Sequence, residues 1–121
     1  MTGGAGFIGS HLVDAVLAQG HRVVVLDDLS TGDLRRVPKE ARFVRGDICA
    51  AGLDALLAEE KIDTVFHFAA QVDVRRSVED PVFDAEVNVL GTIRVGAAAA
   101  ASGVKQVVFS SSGGAVYGDP V

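Results

Sequence analysis

Thr2-Gly3-Gly4-Ala5-Gly6-Phe7-Ile8-Gly9-Ser10 opens the chain, and Asp27 closes a β-branched run 21 positions after Gly6. Gly3, Gly6 and Gly9 fit a G-x-x-G-x-x-G spacing, and Gly4, Gly6 and Gly9 fit G-x-G-x-x-G as well. Residues of these types can clasp a diphosphate. Glycines let the main chain turn tightly and approach the anion, and the helix behind them offers unpaired N–H groups and the positive end of its dipole. An acid about 20 positions on suits the hydroxyls of the neighbouring ribose. The pattern is a dinucleotide fingerprint, and its surroundings agree. Phe7, Ile8, Leu12, Val13, Val16 and Leu17 recur at helical period, Gly20 is a stop, and Arg22-Val23-Val24-Val25-Leu26-Asp27 reads as a buried parallel strand with the acid at its carboxyl end.

The elements that must position this turn alternate along the chain. The spacing predicts a helix over about 7–19, a strand over 22–27 and a polar loop over 28–40, with Gly32 and Pro38 as breakers. A strand at 42–45 runs into Gly46-Asp47-Ile48, a short amphipathic helix covers 51–60, and a strand at 64–68 ends in Ala69 and Ala70. The longest helix is expected over about 81–102, where the small residues from Gly96 to Ser102 serve close packing. The last strand spans 106–112 and runs into Gly113-Gly114. Strands separated by helices imply an α/β fold, a Rossmann-like doubly wound parallel sheet with right-handed crossovers. Only Met1 precedes Thr2, and the pattern stops soon after the last strand. The expectation is therefore a partial dinucleotide-binding domain over 1–121, lacking its first strand, its carboxyl-terminal portion and a substrate domain. Either a fragment or a start assigned too far downstream would account for it.

Composition narrows the partners. With 121 residues, 49% of them hydrophobic, the chain is one domain or part of one. A net charge of −5 argues against a nucleic-acid or membrane-surface partner. The single cysteine, Cys49, excludes an internal disulfide framework, reads as a packing residue and fits a reducing cytoplasm. The apolar stretch from Val95 to Ala101 is too short to span a bilayer. His11 and His67 read as structural residues hydrogen-bonded within the fold, and His21 as exposed. Nothing has metal-ligand spacing; the Asp27-Asp28 pair is better explained by a nucleotide.

After the opening segment through His11 come Leu26-Asp27-Asp28-Leu29-Ser30, Gly46-Asp47-Ile48, His67-Phe68-Ala69-Ala70, Asn88-Val89-Leu90-Gly91-Thr92, and Phe109-Ser110-Ser111-Ser112 through Val116-Tyr117-Gly118. In these six segments, and over essentially all its length, the chain resembles the extended short-chain dehydrogenase/reductases, the NAD-dependent nucleotide-sugar epimerases and dehydratases. Within them it is most similar to the members that interconvert UDP-glucose and UDP-galactose.

The resemblance implies NAD as cofactor. Gly3, Gly6 and Gly9 would shape the loop, with Phe7 and Ile8 at the pyrophosphate. Asp27 would accept from the ribose, and its carboxylate would repel the 2′-phosphate of NADP; Asp28, Leu29 and Ser30 would complete that corner. Arg35 and Arg36 stand too late in the loop to reverse the preference. Asp47 would hold the exocyclic amine of adenine and Ile48 its apolar face. Phe68, Ala69, Ala70 and Gln71 would line the nicotinamide end, with Asn88 supporting the site from below and Ser110 at the end of the last strand. Where many epimerases carry a lysine after His-Phe-Ala, Gln71 and Val72 stand here.

The same likeness implies that Ser112, or failing it Ser111, orients the reacting sugar oxygen beside a Tyr-x-x-x-Lys pair. The chain supplies the serine and not the pair. Its one tyrosine, Tyr117, belongs to the Val-Tyr-Gly segment and has Val121 four positions on, and Gly113-Gly114 acts as an insertion. The stretch Ser112-Gly113-Gly114-Ala115 has no acid, which favours an epimerase over a dehydratase. The implied function is the NAD-binding portion of a nucleotide-sugar 4-epimerase, with hydride leaving sugar C4 and returning to its other face. The implied partners are a UDP-sugar and a second copy of the chain, met through helices that include 81–102. Two alternatives stand beside this reading: another NAD-dependent sugar-nucleotide dehydratase, decarboxylase or reductase, and a catalytically silent NAD-binding module.

Overall fold

The computed structural model describes residues 1–111; Ser112, Gly113-Gly114 and Tyr117 lie outside the described residues. Strand β1 (Val24–Asp27) is buried along its whole length. Side chains alternate across a strand, so its residues serve two cores. Val25 joins Val13, Val23 and Ala41 under α1 (Phe7–Ala18), with Val16 and Leu17 packed against them. Leu26 points the other way, into a cluster with Ile48, Val65, Leu53 and Leu57 of α2 (Leu53–Glu59), and Val95, Ala98 and Ala99 of α5 (Thr92–Ala101). The sheet is thus covered on both faces, as the alternating pattern predicts. Val13, Val25 and Val95 are almost wholly shielded from water, and burial of each contributes about 1.5–3 kcal/mol.

Two parallel strand pairs make the sheet. β1 pairs with β2 (Arg42–Arg45), Val24 opposite Arg42, and β3 (Thr64–His67) pairs with β4 (Gln106–Phe109), Thr64 opposite Gln106. Thr2 joins the pairs through parallel bridges to Leu26 and His67. Leu26 N donates to Met1 O at 2.9 Å and Gly3 N to Leu26 O at 2.9 Å, while Thr2 N donates to Phe66 O and Phe68 N to Thr2 O, both at 3.0 Å. Met1–Gly3 therefore occupies the central position between β1 and β3, and the fold is Rossmann-like. The glycine turn and the carboxyl ends of β1, β3 and β4 open on the same edge, where ligands of such sheets bind. At the opposite end, Glu60 holds Arg22 at 2.6 Å and Arg42 at 2.5 Å, tying the end of α2 to the starts of β1 and β2.

The long helix expected over 81–102 is more articulated than its periodicity predicts. α4 (Pro81–Ala85) leads into a π-helical turn (Glu86–Gly91) and then α5, and a further helix, α3 (Val74–Glu79), precedes them. The Asp73 carboxylate caps α3 by accepting from Arg75 N, and Asp80 caps α4 by accepting from Phe83 N, with Pro81 at the first helical position. Pro81 disfavours a helical Asp80, which explains the break between the two helices. In the π-helical turn, Gly91 lies against Ile48, whose Cδ1 stands 2.7 Å from where a Cβ would be.

Candidate functional site

The glycine turn is held by main-chain contact. Gly3 has φ +68°, and a Cβ there would lie 2.6 Å from Ala69 N. At Gly9 a Cβ would overlap the carbonyl oxygen of Gly3. Only glycine allows this approach of turn to helix. Gly6 is the N-cap of α1, and no side chain caps the helix. Gly6 N donates to Gly3 O and Ser10 N to Gly6 O, whereas Phe7, Ile8 and Gly9 N–H have no partner among the described residues. Phe7 and Ile8 are 68% and 61% exposed. Three free donors, the positive helix end and two apolar flanks fit a diphosphate.

Asp27 stands beside this turn, only 8% exposed. Its Oδ2 accepts from Ala5 N and its Oδ1 from Leu29 N, both at 2.9 Å. The carboxylate therefore ties the glycine loop to the strand end, with lone pairs left for ribose hydroxyls. Sequence reading missed this first task; an acid at a strand end carries no signal of which amides it will meet. Leu29 takes a left-handed φ of +63°, and Asp28 Oδ1 accepts from both Ser30 N and Ser30 Oγ. Arg35 forks onto Asp33 through Nε and Nη2 and holds that carboxyl down at about 2. Its guanidinium is already paired with that carboxylate.

Across the sheet edge the holding is done by side chains. Asn88, in the π-helical turn, accepts from Gln71 N at Oδ1 and donates from Nδ2 to Gln71 O, both at 2.9 Å. Asn88 Nδ2 also donates to Asp84 Oδ1, as do Gln71 Nε2 and Ser77 Oγ. The Ser77 hydroxyl, with the Gln71 and Asn88 amides, keeps the Asp84 carboxyl below its ordinary range. This network fixes the segment after β3, where Phe68 and Ala69 are half-buried and Ala70 is exposed. Neither Ser77 nor Asp84 announces itself in the sequence, because each acts only through this fold-made cluster.

Asp47 is exposed and its Oδ1 accepts from Cys49 N at 2.7 Å. Ile48, 4% exposed, turns its side chain into the core, so Asp47 is what this corner presents outward. Cys49 packs against that core, and burial, then the Asp47 charge, pushes its thiol up. Ser110 and Ser111 are exposed beyond β4, with Ser110 N donating to His67 O at 3.3 Å. His67 is 2% exposed and bonded to Thr2 and Thr92, as a structural histidine should be. His11 differs from expectation: it is exposed, makes no hydrogen bond among the described residues and lies against the Phe7 ring, centroids 4.9 Å apart. One helical turn separates the two, so a tilted ring contact replaces the bond. Among the described residues no cluster of His, Cys, Asp and Glu could hold a metal, and no helix is long and apolar enough to cross a membrane.

Comparison with known proteins agrees with this geometry. The model of the NAD dependent epimerase/dehydratase family matches residues 1–121. A UDP-glucose 4-epimerase of Mycolicibacterium smegmatis is 54% identical over 99% of this chain and 40% of its own length. The crystal structure of Thermus thermophilus UDP-glucose 4-epimerase in complex with NAD is similar at TM-score 0.94 and 48% identity, over 99% of this chain and 39% of that one. The Thermotoga maritima UDP-glucose 4-epimerase with UDP-glucose is similar at TM-score 0.94 and 40% identity, with the same coverage. The chain spans about two fifths of the length of these relatives.

Proposed function

The chain belongs to the NAD-dependent epimerase/dehydratase family, and from that membership we propose that it is the cofactor-binding portion of an NAD-dependent 4-epimerase acting on UDP-glucose and UDP-galactose. The observation that carries the reading is the pairing of three free N–H groups at the start of α1 with the Asp27 carboxylate on the adjoining strand end. In this reading Gly3, Gly6 and Gly9 shape the turn, and Phe7, Ile8 and Gly9 N–H hold the pyrophosphate. Asp27 takes the ribose hydroxyls and turns away a 2′-phosphate, with Asp28, Leu29 and Ser30 closing the corner. Asp47 faces the adenine, with Ile48 behind it in the core. Phe68, Ala69, Ala70 and Gln71 pass under the nicotinamide, braced by Asn88, and Ser110 lies at the same edge. Ser112, with Ser111 second, orients the sugar oxygen. Bound NAD supplies the hydride acceptor and donor for sugar C4.

This chain alone, without a Tyr-x-x-x-Lys pair, is expected to be inactive, so the test is interconversion of UDP-glucose and UDP-galactose with no added oxidant by a longer form of the protein that carries the pair, alongside an NAD titration. Interconversion marks an epimerase. Saturable NAD binding without interconversion leaves the dehydratase, decarboxylase or reductase reading, or the silent module. Absence of NAD binding removes all of them.

We also infer a homodimer, working in the cytoplasm. Val74, Val78, Val82, Val89 and Ile93, on α3, α4, the π-helical turn and α5, are each more than half exposed, and a run of apolar residues left in water marks an interface. Val78→Asp with Val82→Asp is expected to turn a dimer into a monomer in sedimentation equilibrium; an unchanged mass places the interface elsewhere.

A further inference from the structure

Thr2, His67 and Thr92 come from three distant parts of the chain and meet in the interior. Thr2 Oγ1 and His67 Nδ1 are 2.6 Å apart, and His67 Nε2 and Thr92 Oγ1 are 3.2 Å apart. Thr92 Oγ1 donates to Asn88 O at 2.7 Å, and Ala69 N donates to Thr2 Oγ1 at 3.4 Å. The two ends of this chain of contacts decide the direction of every bond in it. A backbone carbonyl only accepts, so the Thr92 proton goes to Asn88 O. Thr92 must then accept from the imidazole, which places the ring proton on Nε2. Nδ1 is left bare and takes the Thr2 proton. The Thr2 oxygen keeps a lone pair for Ala69 N–H. Each proton is used once and no donor faces a donor.

From this geometry we infer that His67 is a positioning residue, locked as the Nε2–H tautomer, that couples the glycine turn to the segment after β3 and to the π-helical turn. Thr2 immediately precedes Gly3. Gly3 lies against Ala69, and Asn88 clamps Gln71. Both shores of the candidate cofactor site therefore hang from one imidazole, and each is fixed relative to the other. Burial lowers the affinity of this ring for a second proton, which keeps Nδ1 free to accept. Phe109, 5.7 Å away centroid to centroid, closes a further side of the ring and brings no charge.

As a statement about cofactor binding, the inference rests on the proposed NAD site; as a statement about the imidazole, it does not. The test has an arm for each part. Long-range proton–nitrogen NMR of the unaltered protein at neutral pH is expected to show His67 with Nε2 protonated and Nδ1 bare. A His67 carrying its proton on Nδ1, or on both nitrogens, overturns the inference. Thr92→Val removes the acceptor for Nε2–H without touching the glycine turn. It is expected to mix the tautomers, shift the Ala69 amide and weaken NAD binding about 3- to 10-fold, roughly one buried hydrogen bond. Thr92→Ser is expected to restore all three. Thr92→Val with an unmoved tautomer and unmoved NAD affinity overturns the coupling. If the unaltered protein takes up no NAD, the proposed function fails, while the tautomer spectrum still decides the hydrogen-bond chain.

Discussion

On the glycine side of the site, backbone lies directly on backbone: Gly3 against Ala69 and Gly9 against the Gly3 carbonyl. On the other side, an asparagine in a π-helical turn reaches over and clamps a loop through two hydrogen bonds. The first arrangement has no slack, since a single added carbon has nowhere to go. The second is an assembly of exchangeable polar contacts around Asp84, partly open to solvent. Steric closeness should fail abruptly when altered and polar clamping should fail by degrees. The same sheet edge thus joins a brittle half to a forgiving one.

Gly9→Val tests the brittle half and carries the largest expected effect. The new side chain would overlap the Gly3 carbonyl and force the turn open. We expect a loss of about 3 kcal/mol in stability, on the scale of severe core strain. NAD affinity is expected to fall at least 100-fold, about 2.7 kcal/mol. Denaturant unfolding and calorimetric titration read both. A variant that binds NAD normally would show the turn to be looser than its geometry.

Asn88→Ala comes next. It strips both the donor and the acceptor from Gln71's backbone, at about 1–2 kcal/mol for a half-buried pair, with NAD affinity reduced about 3- to 10-fold. Ser77 and Gln71 still hold Asp84, so the fold persists. A fall in NAD affinity as deep as that of Gly9→Val would erase the contrast between the halves.

The pH dependence is smaller. His67 prefers its neutral form in the folded protein because burial penalises the charge, so its folded pKa lies below the ordinary 6.5. The unfolded chain then binds more protons in this window, and stability falls as pH drops below about 6.5. Urea unfolding between pH 7.5 and 5.5 should show the decline, and Thr2→Val, which removes the proton donor to Nδ1, should alter it. A stability that rises on acidification would place the proton on the wrong side of the balance.

The smallest effect is a control. Gly96 sits on the open surface of α5 with nothing near its would-be Cβ. Gly96→Ala should raise stability by about 0.5–1 kcal/mol through helix propensity alone, with NAD binding unchanged. A destabilised Gly96→Ala would show that this face is covered.

The two halves also differ in how far they can be read from the sequence. Gly3, Gly6, Gly9 and Asp27 work through local spacing within one strand–turn–helix–strand unit, so residue types at fixed intervals reveal them. The buried run of β1 and the small residues of α5 give the two cores for the same reason. Thr2, His67 and Thr92 are far apart in sequence, and no periodicity foretells that they share one line of hydrogen bonds. α3 was hidden because its apolar residues, Val74 and Val78, face outward instead of marking a core. The π-helical turn was hidden because Glu86–Gly91 carries an ordinary helical pattern; what distinguishes it is contact with Ile48 and Gln71, supplied by other elements. At His11 a polar ring beside a fingerprint suggests a hydrogen-bonding group, but its neighbour one turn back is aromatic and takes up the ring instead.

We propose that Asp27 and the free amides of α1 together grip an adenosine diphosphate. Calorimetric titration of the protein and of its Asp27→Asn variant, each with NAD and with NADP, tests it most directly. Saturable NAD binding, weaker NADP binding, and about a tenfold or greater loss of NAD affinity in Asp27→Asn are expected, as a charge-assisted bond is lost. No saturable uptake, or equal NAD affinity in the two proteins, would contradict it.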